Sequence, residues 1–442
     1  MYDLIVLGGG PGGYKTAKLA GMKGLKTVLI EEHDLGGTCL NRGCIPLKTF
    51  LYAARIKGEY ESAVSSGFVD GGSAKLNQAN IKSYKDSIVE TLRRSVQGME
   101  KGAGVIVVSG NGTIKLCEDQ HIVVSVNDEE YEAKNLVIAT GSEENRLSFN
   151  SLDLPYKVIY SDGFLDLEDL PKQVVIVGGG VVGIECASYF QSAGCEVTIV
   201  EAQEHIGGNL DDDIAEKLER ILKKKGIKIL TGSCVDQFEA NGVHVSSRII
   251  PTDCVLISSG RHARIKEIEN TDIHINGGNV VIDKFCMTNI KGVYACGDVT
   301  GKQMLAHVAY AQARVIVDRL MGRPIDGIEY SWIPRILYSN PEVLTVGYTE
   351  LDCKKKGIEY EVKDIPMTYN GKYFAEHGKD GAAAKMIVSN GKLCGFSMIG
   401  NGAAEIGLAA EMMMEMKIED LKKIVFPHPT VGEIIYELCE MF

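Results

Sequence analysis

Two copies of one glycine-rich pattern limit the possible folds of this chain more than any other feature. Each copy follows a short apolar run, Tyr2–Leu7 in the first and Gln173–Val177 in the second, and leads into a helical segment and another strand. The glycines are spaced Gly-x-Gly-x-x-Gly and are Gly8, Gly10 and Gly13 in the first copy and Gly178, Gly180 and Gly183 in the second. An acid, Glu31 or Glu201, stands 18 residues past the last glycine of each copy. One such fingerprint is a weak signal, but two in this order predict two Rossmann-type dinucleotide-binding units.

The chemistry of dinucleotide binding explains these residue types. The first glycine of each copy makes a tight turn, the second admits the pyrophosphate, and the third lets the helix pack on the strand. The pyrophosphate then lies at the helix N-terminus, where free amides and the helix dipole favour negative charge. We expect Glu31 and Glu201 to accept hydrogen bonds from adenosine ribose hydroxyls, and we expect the two helices over residues 14–22 and 184–192. The alternative is one working site and one relic, whereas two intact sites imply a flavin nucleotide and a nicotinamide.

Two cysteines stand shortly after the first copy, in the segment Gly-Gly-Thr-Cys-Leu-Asn-Arg-Gly-Cys-Ile-Pro-Leu-Lys. They are Cys39 and Cys44, and the four residues between them do not match the Cys-x-x-Cys of zinc sites or thioredoxin-like motifs. Two thiols this close can join only in a tight ring, and strained or exposed disulfides are the labile, catalytic kind. The pair is a candidate redox-active disulfide, against the alternative of two buried thiols that happen to be near each other.

Composition and charge argue against several functions. The 442 residues carry a net charge of −12, which disfavours nucleic acid and anionic membranes as partners. No run of 18 apolar residues occurs, so no membrane span is expected. The cysteines other than the close pair have no metal-ligand spacing, so no metal site is expected. The chain begins directly with a strand, without a basic segment or cleavage site, and we expect a cytoplasmic protein.

A histidine near the C-terminus is a candidate base. His428 stands between two prolines, which pin its backbone, and Glu433 five residues later can orient its imidazole. Taken alone, a histidine in this setting is more often a surface turn residue. In a chain that also carries a redox disulfide, a general base is the better interpretation.

The two fingerprints, the cysteine segment and the histidine segment together resemble the flavin-dependent pyridine nucleotide–disulfide oxidoreductases, and among these the dihydrolipoyl dehydrogenase family. The resemblance covers Met1 to about Leu438. It implies an α/β fold with two Rossmann-like dinucleotide-binding domains, for FAD and NAD, and a C-terminal α+β dimerisation domain. The implied domains are an FAD domain with the redox disulfide over 1–146, an NAD domain over 147–264, a return to the central FAD region over 265–330, and a dimerisation domain over 331–442.

The resemblance also implies roles for individual residues. Cys39 would exchange with substrate thiols, and Cys44 would lie against the flavin as a charge-transfer thiolate. His428 would be the general base, oriented by Glu433, and Lys48 would lie near the reactive edge of the isoalloxazine, paired with Glu185. Further implied FAD contacts, besides the first glycines, Glu31 and Lys48, are Thr38, Gly112, Thr140, Gly141, Ser142, Asp298, Leu305 and Ala306, with Asp298 on the ribityl chain. The implied NAD contacts, besides the second glycines and Glu201, are Glu185, Val235 and Gly260.

The implied activity is oxidation of protein-bound dihydrolipoyl groups by NAD⁺ through the disulfide and FAD. The implied partners are a lipoyl-bearing protein of a 2-oxo acid dehydrogenase or glycine cleavage system, and a second copy of the chain, because in this family the base reaches the disulfide of the partner subunit. One rival is another NADH-linked disulfide reductase resembling glutathione or mercuric reductase, and another is a flavin-binding paralogue without catalysis. Acids around Glu201 disfavour the 2′-phosphate of NADP, and Cys439 lacks the neighbouring cysteine that mercuric reductase would carry. The chain departs from the family pattern at Arg42, Leu47 and Phe426, none of which removes a catalytic atom.

Overall fold

The computed structural model describes residues 1–147 and 154–442, which divide into two compact units. The first unit comprises Met1–Thr49, Lys82–Arg146 and Gly260–Tyr330, and the second comprises Phe50–Ile81, Leu147–Ser259 and Ser331–Phe442. Residues 148–153, near the start of the predicted NAD domain, lie outside the described residues. The predicted division into four domains stays a prediction.

Helices and strands both occur along the chain, and they alternate around the two glycine-rich patterns. In chain order the helices of the described residues are α1 (Pro11–Met22), α2 (Gly37–Arg42), α3 (Cys44–Ser65), α4 (Gln78–Gly102), α5 (Ser161–Leu165), α6 (Val181–Ser192), α7 (Asp212–Lys224), α8 (Ala306–Leu320), α9 (Glu350–Lys356), α10 (Gly371–His377), α11 (Ala403–Met413), α12 (Ile418–Leu421) and α13 (Ile434–Cys439). No helix among these is long and apolar enough to cross a lipid bilayer.

The first unit is built on a sheet of seven strands. Across the sheet they are Ile106–Ser109, Thr27–Glu31, Tyr2–Leu7, Glu129–Ile138, His121–Val126 and Thr113–Glu118, with Val293–Ala295 also paired to Glu129–Ile138. The strands that carry the predicted FAD motifs pair in parallel, with Leu7 opposite both Ile30 and Ile138, and Ala295 opposite Ile138. Their carboxyl ends therefore lie at one edge of the sheet, which is where ligands bind in open α/β sheets.

Apolar content explains why these strands form the core of the first unit. Leu4, Ile5 and Val6 have no exposed surface, and Val28 and Leu29 of the neighbouring strand are equally buried. Strands covered on both faces are apolar at nearly every position rather than at alternate positions, as these are.

The second unit contains a parallel sheet and two antiparallel sheets. The parallel sheet has the order Lys228–Leu230, Glu196–Val200, Gln173–Val177, Cys254–Ile257 and Lys157–Ile159. One antiparallel sheet joins Val235–Glu239, Gly242–Val245 and Arg248–Ile250. The other, in the C-terminal region, has the order Arg335–Leu337, Val343–Gly347, Lys392–Ile399, Ala383–Ser389 and Glu361–Pro366. The first unit thus has a mixed sheet, in which His121–Val126 pairs antiparallel with both its neighbours, and the second has a parallel sheet and a C-terminal antiparallel sheet. This α/β architecture confirms the predicted fold class.

A buried lysine ties helix α7 to the C-terminal sheet. The Lys385 side chain is 2% exposed, and its Nζ lies 2.7 Å from Asp213 Oδ1 and 3.2 Å from Asp211 Oδ2 at the start of α7. The same ammonium group lies 2.5 Å from Glu350 Oε1 of α9. Because a buried charge is tolerated only when it is paired, this cluster fixes the N-terminal end of α7.

The two fingerprint helices begin earlier than predicted. Helix α1 begins at Pro11 and α6 at Val181, three residues before the expected starts. Proline is favoured in the first helical turn because its fixed φ suits the helix and its missing N–H has no intrahelical partner there. The last residues of each glycine-rich loop thus form the first turn of the helix that follows. This first turn lies close to the end of the preceding strand.

Candidate active site

The predicted disulfide is present. Cys39 lies in α2, Cys44 is the first residue of α3, and their Sγ atoms are bonded with a Cα–Cα distance of 4.6 Å. Gly43 separates the two helices, and a Cβ on this residue would lie only 3.0 Å from the Thr38 carbonyl oxygen. The chain can therefore turn closely enough to bring the cysteines together because position 43 has no side chain.

Lys48 lies on the same helix as Cys44, four residues later. Residues four apart lie on one face of a helix, so the geometry is compatible with the predicted place of Lys48 beside the redox group. The side chains of Cys44 and Lys48 are half-buried. Leu47, which stands between them in the sequence, is only 6% exposed. Leu47 is thus a packing residue at this position.

The first glycine loop has the geometry that a dinucleotide site requires. Gly8 has φ +102°, and its backbone N–H donates to the Ile30 carbonyl at 2.8 Å. A Cβ on Gly13 would overlap the carbonyl oxygen of Gly8, so helix α1 can approach the strand only with glycine there. Gly10 caps α1 without a side-chain hydrogen bond, and a Cβ on it would find its nearest neighbour 3.8 Å away, at Gly37 Cα.

These features fit a bound pyrophosphate. The first amides of α1 have no side-chain cap, and a Cβ on Gly10 would make only one ordinary van der Waals contact, with Gly37 Cα. Unpaired amides at a helix N-terminus bind phosphate groups through hydrogen bonds and the helix dipole. The loop can therefore hold a dinucleotide, and the residues present fit the predicted FAD.

Glu31 ends the second strand and holds the same loop. Its Oε2 accepts a hydrogen bond from the Gly9 backbone at 2.5 Å, and its Oε1 accepts one from His33 at 2.8 Å. A carboxylate has about four lone-pair positions, so two remain for the ribose hydroxyls of the sequence-based prediction.

The second glycine loop repeats this geometry. Gly178 has φ +107°, and its N–H donates to the Val200 carbonyl at 2.9 Å. Glu201 accepts hydrogen bonds from Gly179 at 2.6 Å and from Gln203 at 2.8 Å, as Glu31 does in the first loop. A Cβ on Gly180 would meet nothing within 4 Å, so the space for a second pyrophosphate is also open. The sequence duplication thus extends to individual hydrogen bonds.

Asp298 and Ser142 meet at the sheet edge of the first unit. The Ser142 hydroxyl donates to Asp298 Oδ2 at 2.6 Å, and Arg261 donates from Nε to the same hydroxyl at 2.8 Å. Arg261 Nη2 also donates to the Ser142 carbonyl at 2.7 Å. The three residues form one network that fixes the Asp298 carboxylate, which the resemblance assigns to the flavin side chain.

The other predicted cofactor residues fall into two groups. Thr140, Gly141 and Gly260 lie in turns beside this network, where the Thr140 hydroxyl donates to the Arg264 carbonyl at 2.7 Å. The second group lies at the ends of elements or in packing positions: Thr38 precedes Cys39 in α2, Leu305 caps α8, Ala306 begins α8, Val235 begins an antiparallel strand, and Gly112 packs beside Leu7 and Ile30. Their contacts with cofactors stay predictions.

The candidate base and its predicted partner are in contact. His428 Nδ1 lies 2.8 Å from Glu433 Oε1, and Glu433 Oε2 accepts a hydrogen bond from the Thr430 backbone at 2.8 Å. The Thr430 bond, and then the His428 bond, hold the pKa of the Glu433 carboxyl below its ordinary value, so it stays ionised. The His428 side chain is 80% exposed.

Glu185 is almost wholly buried in α6. Its Oε1 accepts a hydrogen bond from the Tyr338 backbone at 2.9 Å, which connects this helix to the C-terminal region of the same unit. The predicted pairing of Glu185 with Lys48 stays a prediction, as does the approach of His428 to the disulfide.

Similarity to known proteins agrees with this geometry. Residues 2–313 match the family described as pyridine nucleotide-disulphide oxidoreductase, and residues 333–439 match the dimerisation domain of that family. The chain belongs to the pyridine nucleotide-disulphide oxidoreductase family. It is an FAD- and NAD-dependent oxidoreductase, and the predicted family and cofactors are confirmed.

Relatives within the family are similar over nearly the whole chain. A dihydrolipoyl dehydrogenase of Mycoplasma genitalium is 35% identical, over 99% of this chain and 98% of its own. One from Geobacillus stearothermophilus is 31% identical, over 99% and 96%. Among solved structures, the HOCl-induced flavoprotein disulfide reductase RclA of Escherichia coli is 25% identical with a TM-score of 0.87 over 100% of both chains. LpdA of Mycobacterium tuberculosis shares the fold, with a TM-score of 0.91 and 22% identity over 100% of this chain and 99% of its own.

Sequence reasoning gave Arg261 no role, although this residue organises Ser142 and Asp298. The available signal was a charged residue directly after Gly260, which lies in the turn that follows the apolar run Cys254–Ile257. In oxidoreductases of this type, a polar residue at the carboxyl end of a strand is a candidate for the site rather than for the surface.

Proposed function

We propose that this protein oxidises dihydrolipoyl groups carried on a partner protein and transfers the electrons to NAD⁺. The Cys39–Cys44 disulfide, placed after the first of two dinucleotide loops, supports this proposal most directly. The curated relatives named dihydrolipoyl dehydrogenase, similar over 99% of this chain, point to the substrate.

The first chemical step needs a base. Dihydrolipoyl thiols are mostly protonated near pH 7, whereas only a thiolate attacks a disulfide. His428 takes the thiol proton at its Nε2, and the ionised Glu433 on Nδ1 stabilises the imidazolium that forms. The thiolate then bonds to Cys39 Sγ, the Cys39–Cys44 bond breaks, and Cys44 leaves as a thiolate.

The second thiol of the substrate completes the exchange. It attacks the substrate sulfur that is bonded to Cys39, and the bond between that sulfur and Cys39 breaks. The proton of the attacking thiol passes to the departing Cys39 sulfur, and the lipoyl group is left as a cyclic disulfide. The first glycine loop would hold FAD, which would supply the two-electron chemistry that connects the dithiol to NAD⁺. In this proposal Lys48 and Glu185 stabilise the flavin environment, and the network of Ser142, Arg261 and Asp298 orients the cofactor.

The proposed partners follow from the chemistry. A lipoyl-bearing protein of a 2-oxo acid dehydrogenase or glycine cleavage system would bring the substrate. A second copy of the chain would supply the base, since His428 lies within the residues that match the family's dimerisation domain and is exposed. The cytoplasmic location expected from the sequence stays a prediction.

The test compares two substrate pairs on the same FAD-loaded preparation. Turnover of dihydrolipoamide with NAD⁺ should exceed turnover of glutathione disulfide with NADPH by a factor of about 10³ or more, since a matched site and base contribute differences of that size. Cys44→Ser should abolish dihydrolipoamide turnover. Efficient use of glutathione disulfide, with none of dihydrolipoamide, would instead indicate the other disulfide-reductase function. A flavin that NADH does not reduce under anaerobic conditions would indicate a non-catalytic paralogue.

A further inference from the structure

The short helix that carries Cys39, α2, is not stable without contacts from the rest of the protein. Helix α2 has six residues, and helices far shorter than about 12 residues are unstable unless other contacts hold them. Its N-terminal cap is Gly36, with φ +104° and no side-chain hydrogen bond, and its C-terminal cap is Gly43. The orientation of Cys39 towards Cys44 must therefore be set by contacts from outside the helix.

Asn41 provides one such contact from the middle of the redox segment. Its Nδ2 donates towards three backbone carbonyls, at 2.9 Å to Gly37, 3.1 Å to Leu35 and 3.4 Å to Asp34. The bonds to Leu35 and Asp34 tie the C-terminal end of α2 back to the loop that precedes it, and the bond to Gly37 lies within α2. Asn41 stands two residues after Cys39 and three before Cys44, so its hydrogen bonds restrain the backbone between the two cysteines.

Arg93 of helix α4 holds the oxygen of the Asn41 amide. Its Nε donates to Asn41 Oδ1 at 3.1 Å, and its Nη2 lies 3.3 Å from Asp34 Oδ2 of the same loop. Its Nη1 lies 3.4 Å from Glu90 Oε2, one turn earlier on α4. The guanidinium therefore joins the 25-residue helix α4 to Asp34, in the loop before α2, and to Asn41, in the last turn of α2.

The hydrogen-bond pattern allows one orientation of the Asn41 amide. Its nitrogen faces carbonyl oxygens, which only accept, and its oxygen faces a guanidinium, which only donates. A flipped amide would place donor against donor at Arg93 and acceptor against acceptor at Leu35. Arg93 and the carbonyls of Leu35 and Gly37 thus hold the amide in the same orientation, with Arg93 holding its oxygen.

We propose that Arg93 is a positioning residue of the redox centre, acting through Asn41 to hold Cys39 and Cys44 at bonding distance. The proposal rests on the proposed redox role of the disulfide, and it concerns the oxidised and reduced forms of the cysteines. A contact that holds two thiols together favours their disulfide, because less freedom is lost when the bond forms. Without Arg93 the loop relaxes, and the equilibrium moves towards the dithiol.

Arg94 offers a matched control. It lies next to Arg93 and also pairs with Glu90, with Nε 2.7 Å from Oε1, but its side chain is 76% exposed against 33% for Arg93. Arg93→Gln and Arg94→Gln remove the same charge from the same helix. Only the first removes the contact with Asn41 described above.

The experiment measures the thiol–disulfide equilibrium of the FAD-loaded enzyme in dithiothreitol redox buffers under anaerobic conditions. Acid quenching, alkylation and mass spectrometry give the fraction of Cys39 and Cys44 in the disulfide. Arg93→Gln should favour the dithiol by about tenfold, which one hydrogen bond of ordinary net strength can supply, whereas Arg94→Gln should match the wild type. The charge-transfer absorbance of the reduced enzyme should change in Arg93→Gln alone.

The route through Asn41 has its own test. Asn41→Ala should shift the equilibrium in the same direction as Arg93→Gln, and adding Arg93→Gln to it should cause little further change, because coupled residues are not additive. Should Arg93→Gln fail to bind FAD, Arg93→Lys takes its place, since one ammonium cannot contact Asp34 and Asn41 as a guanidinium does. The lysine variant should shift the equilibrium by about threefold in the same direction.

Three results would overturn the proposal: an unchanged equilibrium in Arg93→Gln or its lysine substitute, equal shifts in the Arg93 and Arg94 variants, or full additivity with Asn41→Ala. None of these measurements uses dihydrolipoamide. Failure of the proposed substrate would therefore appear as absent dihydrolipoamide turnover in the wild type, with the Arg93 result unaffected.

Discussion

Among single residues, Glu201 holds the second glycine loop and is also expected to determine the preference for NADH over NADPH. Both its oxygens already accept backbone hydrogen bonds, which hold the carboxylate at the loop. Its remaining lone pairs suit the ribose 2′-hydroxyl, and its charge repels a 2′-phosphate. We expect NADH to be preferred over NADPH by at least about tenfold, from hydrogen bonds of about 1.5–3 kcal/mol to a charged group.

The preference is measured as the ratio of kcat/KM for the two cofactors. Glu201→Arg should reduce this ratio, while Glu204→Gln, at an exposed position of the same loop, should leave it within about twofold of the wild type, as surface changes usually do. Equal efficiency with both cofactors in the wild type would show that Glu201 does not contact the ribose.

The buried carboxyl of a second residue, Glu100, should make the stability of the protein depend on pH. Its carboxyl is fully buried on α4, and neither oxygen accepts a hydrogen bond from the described residues. Burial raises the pKa of Glu100 to about 8, against a smaller opposing effect of the Lys18 charge. Between about pH 5 and pH 8 the unfolded chain has lost this proton while the native protein retains it, so the free energy of unfolding falls as pH rises.

Glu100→Met should remove this fall. The variant should gain stability over the wild type as pH rises from 5 to 8, reaching about 1–3 kcal/mol above pH 8, because it no longer buries an unsatisfied polar group. Melting temperatures of the FAD-loaded proteins at pH 6 and pH 9 provide the measurement, with the exposed Glu130→Gln as control. A gain of equal size at both pH values would contradict the assigned titration.

At the scale of elements, the duplication could be predicted because it is carried by local patterns. Strand, glycine turn, helix and acid recur at fixed spacing. A conformational requirement also explains residue types in the pattern, such as glycine at positions 8 and 178, where φ is positive. Contacts between segments far apart in the sequence could not be predicted in this way. Arg93 reaches Asn41 across 52 residues and Lys385 reaches Asp213 across 172, and neither pair leaves a periodic pattern in the chain.

The third glycine of the second copy, Gly183, is expected to set the distance between helix α6 and its strand. A Cβ on Gly183 would overlap the Gly178 carbonyl oxygen, so Gly183→Ala should push α6 away from its strand. NADH binding should weaken by about tenfold or more, the size of an overpacking penalty, while FAD content stays at the wild-type level. Stopped-flow reduction of the flavin at varied NADH concentration measures the first, and the visible spectrum measures the second.

Gly98→Ala is the control for this substitution. A Cβ on Gly98, inside α4, would meet nothing within 4 Å, so alanine there should be neutral or stabilise the helix by about 0.5–1 kcal/mol. If Gly183→Ala bound NADH as tightly as Gly98→Ala, the close approach of helix and strand in the second loop would not matter for the cofactor.

At the scale of the whole molecule, the exposure of His428 is the feature that needs a second subunit. A general base works within hydrogen-bond reach of its proton, yet this imidazole is 80% exposed beside Val425, which is 91% exposed. Both residues lie within the match to the family's dimerisation domain. We therefore expect the homodimer to be the smallest active unit, with each base serving the disulfide of the other chain.

Mixing two inactive variants tests this expectation. His428→Gln should lower dihydrolipoamide oxidation by about 10²–10⁴-fold, the usual contribution of a positioned base, but leave NADH-dependent reduction of an artificial acceptor nearly intact. Cys44→Ser lacks the disulfide but keeps the base. A mixed dimer rebuilds one complete site from the cysteines of the first variant and the histidine of the second, so random exchange should restore about a quarter of wild-type activity. Verified mixed dimers without any recovery would place the base and the disulfide of one site in the same chain.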